Sequence, residues 1–161
     1  MNHKIIIVIT GLVFFLTACG TPTYKKENSA FIVFKTPTFK YADMGFIYEN
    51  STEVKAEIYG SGQALMSLTI KQKSVCMSLL ACMSKQAFNS QILHASYPED
   101  ILSNIFRGNA IYHGQNIKKN SNGFTQNITN TNKYNIHYTV LNNEVIFRDT
   151  INHIFIKVKK Q

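Results

Sequence analysis

Residues 53 to 71 read EVKAEIYGSGQALMSLTIK. Val54, Ala56 and Ile58 alternate with Glu53, Lys55 and Glu57, and Ala64, Met66, Leu68 and Ile70 alternate with Ser67, Thr69 and Lys71. A helix would scatter these side chains around its axis; an extended chain puts each set on one face, so the period of two predicts two half-buried antiparallel strands. Gly60-Ser61-Gly62 predicts a three-residue hairpin turn, in which glycine supplies the positive φ. Such a turn pairs Ile58 with Ala64 and Ala56 with Met66. Tyr59 and Leu65 then flank the tip on the polar face, where large apolar side chains are costly unless covered. Either another part of the chain packs over them, or they form an exposed finger that meets a membrane or an acyl chain.

Other segments carry the same signal. AFIVFK, MGFIYE, GFTQNIT, KYNIHYTVL, EVIFRD and HIFIKVKK are short runs rich in β-branched and aromatic residues. Asn142-Asn143 predicts a two-residue turn pairing Val140 with Val145, Tyr138 with Phe147 and Ile136 with Asp149. The middle of the chain is helical in pattern. Ser84 suits the cap of KQAFNSQILHA, with a stripe of Phe88, Ile92 and Ala95. YPEDILSNIFRG places Pro98 at a first helical position, Glu99 and Asp100 in the first turn, Arg107 in the last turn and Gly108 at the terminating residue. Its apolar residues, Ile101, Leu102, Ile105 and Phe106, form one stripe. Strands, two helices and strands again predict an α+β fold: an open antiparallel β-barrel, or curved sheet, with two helices covering its concave apolar face. Such a sheet can enclose an apolar cavity.

The N-terminus sets the compartment. One lysine, Lys4, precedes the apolar run Ile5 to Leu16, which is short for a membrane anchor and suits a signal-peptide core. The run ends in Leu16-Thr17-Ala18-Cys19. This resembles a lipobox, where bacterial prolipoproteins are acylated on the cysteine and cleaved just before it; an ordinary secretory signal or an uncleaved anchor is the other reading. Acylated Cys19 would hold the chain firmly, each buried methylene contributing about 0.8 kcal/mol. Gly20, in place of Asp, favours the outer membrane and a domain facing the periplasm. The expected organisation is a lipoprotein signal peptide over residues 1–18, an acylated polar tether over 19–29 (containing GTPTYKKENS), and a single domain over 30–161. In an oxidising compartment Cys76 and Cys82, with five residues between them in VCMSLLACMSK, suit a disulfide closing a short loop, with free or metal-binding thiols as the alternative.

The formal charge of +8 suits an anionic partner such as a lipid headgroup surface. Nucleic acid does not fit an exported chain with only Arg107 and Arg148 as arginines. The five histidines, His3, His94, His113, His137 and His153, have no metal spacing, and there is no G-x-S-x-G and no phosphate loop. His137 and His153 fall on outward faces by strand parity. Glu49, Glu53 and Glu57 lie in or beside strands near lysines. These residues predict no catalytic set, no metal site and no cofactor.

The lipobox, the curved sheet, the YPEDILSNIFRGNAI helix and the run GFTQNITNTNKYNIHYTVLNNEVIFRDTINHIFIKV together resemble the LolB-type outer-membrane lipoprotein receptors, over most of residues 40 to 158. The resemblance implies an open β-barrel capped by helices, with an apolar cavity for lipoprotein acyl chains. It also implies a protruding loop with an apolar residue that helps insert cargo into the membrane, a place taken here by Tyr59 and Leu65. The cavity expected from these patterns is lined by Val54, Ile58, Met66, Leu68, Ile105, Phe106, Ile136, Tyr138 and Phe147. The implied partners are the outer membrane, acyl chains of lipoproteins or another lipid, and a LolA-like periplasmic chaperone. The competing expectation is a structural or envelope-assembly lipoprotein that binds a protein partner and carries no lipid.

Overall fold

Eleven antiparallel strands form one unclosed, curved sheet in the computed structural model, which describes residues 23–78 and 80–161. Cys19 and the expected lipobox and signal segment lie outside the described residues. The chain first lays down six strands side by side: β1 (Lys26–Lys35), β2 (Lys40–Glu49), β3 (Val54–Gly60), β4 (Gln63–Ile70), β5 (Ser74–Met77) and β6 (Leu80–Ser84). Two helices follow, α1 (Lys85–Ile92) and α2 (Ile101–Arg107), with a 3-10 turn at Tyr112–Gly114. Five more strands complete the sheet: β7 (Ile117–Asn120), β8 (Gly123–Asn130), β9 (Tyr134–Leu141), β10 (Glu144–Asp149) and β11 (Ile154–Lys160). The two meanders join where β1 pairs with β11, so the order is β6-β5-β4-β3-β2-β1-β11-β10-β9-β8-β7. The α+β expectation of an open curved sheet with two helices holds.

Local chemistry explains the elements. Ser84 accepts a hydrogen bond from the Ala87 N–H and caps α1. Gly108 ends α2 in the left-handed region, φ 72°, returning its N–H to Asn104 and Ile105 carbonyls. The two helices have eight and seven residues, too short to persist alone, so packing against the sheet holds them. At Gly45 of β2 a Cβ would sit 1.8 Å from the Glu57 carbonyl oxygen, so only glycine lets β2 and β3 approach there. Lys118 and Lys119 project from the edge strand β7, and charged edges resist pairing with other chains.

Several expectations need correction. The hairpin between β3 and β4 turns on two residues, Ser61 (φ 51°) and Gly62 (φ 79°), and not on three. A turn with two positive φ values matches the twist of the flanking strands. Left alone it would oppose Ile58 to Leu65 and break the apolar row. A bulge between Ile58 and Tyr59, with Leu65 the extra residue on β4, restores parity, so Ile58 pairs with Met66 and Ala56 with Leu68. Ala64 consequently lies exposed near the tip. Ordered structure also begins earlier than the tether reading: Lys26 to Ser29 pair with β2, Lys25 donates its N–H to Glu49, and the Tyr24 hydroxyl donates to Glu53. Helix α1 stops at Ile92, leaving Ala95 exposed outside it, and α2 starts at Ile101 after a turn over Pro98–Asp100. At Asn142-Asn143 the expected turn and all three expected pairings are present.

Candidate functional site

The inward rows of the sheet and the facing stripes of the helices meet in one buried apolar cluster. All nine residues expected to line a cavity lie in it: Val54, Ile58, Met66, Leu68, Ile105, Phe106, Ile136, Tyr138 and Phe147 are each at most 1 % exposed. Phe106 of α2 leans on Phe34 of β1 with ring centroids 6.5 Å apart, and Tyr138 and Phe147 meet at 6.4 Å. The face is therefore occupied by the protein's own helices. Phe88 and Ile92 come from α1, and Ile101, Leu102, Ile105 and Phe106 from α2. Burying each such side chain contributes about 1.5–3 kcal/mol, so the cover is held mainly by apolar area.

Polar contacts fasten the ends of this cover. Before α2, the Tyr97 hydroxyl donates to Asp149 at the end of β10. Asp149 also accepts from the backbone N–H groups of Asn135, Ile151 and Asn152 and from the Asn152 side chain. Burial pushes the Asp149 carboxyl up, but the bonds from Tyr97, Asn152 and the Asn135 backbone outweigh it and hold it below its usual range. Burial, with the bond to Asp149, pushes the Tyr97 phenol up, so it remains a donor. Asn89 of α1 donates its side-chain amide to the Tyr97 and Pro98 carbonyls, tying the two helices together.

At the other end, Arg107 in the last turn of α2 donates to the Glu53 carbonyl at 3.0 Å and lies 3.8 Å from the Glu49 carboxylate. Lys160 pairs with Glu49 at 2.6 Å. Beyond α2, the buried Gln126 side chain accepts from the Ile111 N–H and donates to the Ile111 and Gln115 carbonyls. The Tyr138 hydroxyl donates to the Asn109 carbonyl at 2.9 Å. Clefts open on the rim beside both ends. One of about 230 Å³ is lined by Lys35, Arg148, Asp149 and His153 among others, and one of about 250 Å³ by Lys25, Lys26, Glu49 and Arg107 among others.

The structure separates the tip from this face. Leu65 is 48 % exposed, carried outward by the bulge, while Tyr59 is half-buried edge-on against Phe46, ring centroids 5.8 Å apart. Cys76 and Cys82 sit on the β5–β6 hairpin with their sulfurs at bonding distance, at one end of the sheet. His137 is exposed on β9, and the exposed His153 stands in the turn before β11, not within a strand. Glu57 pairs with Lys55, and Glu49 with Lys160.

Gln126, Asn89 and Tyr97 were not among the expected site residues. Gln126 carried a readable signal, a polar residue at an inward position two before Ile128. Asn89 and Tyr97 carried none, because their partners come from a helix connection and from a strand 52 residues away. No family model matches the chain, and no curated protein matches it.

Proposed function

We propose that this protein is a non-enzymatic lipoprotein of the LolB type, anchored through acylated Cys19 to the outer membrane. It receives acyl chains of lipoproteins or another lipid from a LolA-like periplasmic chaperone and helps deliver them to the bilayer. One observation carries this reading: an unclosed sheet has an apolar inner face covered by two short helices and their connections, with Tyr97 and Ile111 from those connections, and the cover is fastened by polar contacts at Tyr97 and Arg107. Between the fastenings α2 contributes Ile101, Leu102, Ile105 and Phe106 to the buried apolar cluster, the kind of side chain whose place an acyl chain can take.

Loading in this scheme is an exchange. The helices shift, cargo methylenes take the places of helix side chains over Val54, Ile58, Met66, Leu68, Ile136, Tyr138 and Phe147, and the apolar area removed from water drives uptake at ~25 cal/mol per Å². In this scheme the tip with Leu65 and Tyr59 helps hand cargo to the membrane. No bond is made or broken, and the scheme uses no cofactor.

The test is native mass spectrometry of the chain mixed with a triacylated lipopeptide. The expected result is a one-to-one adduct. A chain that keeps its β-rich circular dichroism and binds no acyl species contradicts the carrier reading and favours a structural or assembly role with a protein partner.

A further inference from the structure

The outward face of the sheet is apolar where the inward face already is. In β1 the inward residues Ile32 and Phe34 are buried, yet the outward Phe31 is 37 % exposed; in β2 Ile47 is buried, yet the outward Met44 and Phe46 are 39 % and 37 % exposed. A sheet with one wet face normally alternates cleanly, and strands apolar on both faces normally have both faces covered. Phe31 and Met44 are direct cross-strand partners, and Phe46 packs against Tyr48 and Tyr59. These contacts make the exposed residues one patch.

Cations are set among these side chains by the strand register. Lys159 lies opposite Phe31, and Lys35 lies between Lys40 and Phe155, which carries the Arg148 guanidinium 4.7 Å from its ring centre. Lys35, Lys40, Lys159 and Arg148 are all exposed. The outward acids on these strands are Glu27, Glu57 and Glu144, and the last two are paired with Lys55 and Lys157. The face is thus aromatic and positive at once, the composition of a surface that settles at the headgroup level of an anionic bilayer.

The chain's attachment points the same way. Tyr24 rests on Tyr48 of this face, ring centroids 5.4 Å apart. Five residue steps separate Cys19 from Tyr24. Even fully extended, five steps span no more than roughly 18 Å. This part rests on the acylation of Cys19 proposed above. We infer that the outward face of β11, β1, β2 and β3 is a second membrane contact, docking against anionic phospholipid headgroups with its aromatic side chains at the interface and its lysines on the phosphates.

The chain contains no tryptophan, so single-tryptophan variants report one place at a time. The full chain carrying Phe46→Trp, and separately Thr129→Trp on the exposed surface of β8, is bound to vesicles of brominated phosphatidylglycerol and phosphatidylethanolamine. Bromine should quench Phe46→Trp at least twofold more than Thr129→Trp, and vesicles of brominated phosphatidylcholine should quench it less. Lys35→Gln with Lys159→Gln should weaken association of a Cys19→Ala chain with the anionic vesicles by about fivefold per lysine. Equal quenching at the two positions, or equal quenching of Phe46→Trp in both lipids, overturns the proposal and leaves a protein partner as the occupant. Acylation is read independently, from the mass at Cys19, and cargo uptake from the lipopeptide adduct, so failure of either is distinguishable from failure of this face.

Discussion

The two ends of the helical cover are fastened by different chemistry. At one end a single carboxylate, Asp149, is 1 % exposed and collects five hydrogen bonds; among the described residues no cation pairs with it. At the other end Glu49 stands between Arg107 and Lys160, whose side chains are 23 % and 21 % exposed. The first arrangement is buried and directional, and losing the acceptor leaves several donors unsatisfied. The second is an ion cluster around a buried carboxylate whose two cations are partly exposed, so that one cation remains if the other is lost. A cover fastened this way should hold more firmly at Tyr97 than at Arg107, an asymmetry that the proposed uptake of cargo would use.

The comparison breaks most sharply at Asp149. Replacing it with alanine strands the Tyr97 hydroxyl and the backbone donors of Asn135, Ile151 and Asn152, and should cost about 3 kcal/mol or more in urea unfolding. The same group sets an acid limit. Its folded pKa lies below the ordinary carboxylate value, so its contribution is fully present above that ordinary value, near pH 3.8, and is lost as pH falls through the folded pKa. The wild-type chain should therefore lose stability on acidification below about pH 4, and Asp149→Asn should flatten that limb. An Asp149→Asn acid profile parallel to the wild type would remove Asp149 as the buried fastening.

The Arg107 end should respond less. Arg107→Gln removes the bond to the Glu53 carbonyl but leaves Lys160 on Glu49, so the global cost should be about 1 kcal/mol, its ionic part shrinking in high salt. Hydrogen exchange should show its effect confined to the last turn of α2 and the segment following it. Exchange that quickens equally around Tyr97 would mean that the cover moves as one piece.

What could be read from the sequence follows from how local each cause is. The Ser84 cap, the Gly108 stop and the Asn142-Asn143 register depend on neighbouring residues, and all three stand in the structure. The Ser61-Gly62 hairpin shows the limit. Its inward rows over Val54, Ala56, Ile58, Met66 and Leu68 and the outward Leu65 were legible, but its pairing was not, because a two-residue turn and a bulge reset the register. The short strands β5, β6 and β7 and the polar start of β1 have weak alternation and exist because a neighbouring strand supplies their partners. At the site, the apolar face was legible from parity. Its fastenings were not, since Tyr97 and Asp149, or Arg107 and Glu53, meet only once the helices cross the sheet.

The central claim is that the covered inner face receives acyl chains. The most direct measurement is photolabelling with a lipopeptide whose acyl chain carries a diazirine, followed by mapping of the labelled residues by mass spectrometry. The account predicts labels on the inner face, at Val54, Ile58, Leu68, Tyr138 and Phe147. Labels confined to Phe31, Met44, Phe46 and Leu65 on the outside, with none on the inner face, would contradict it.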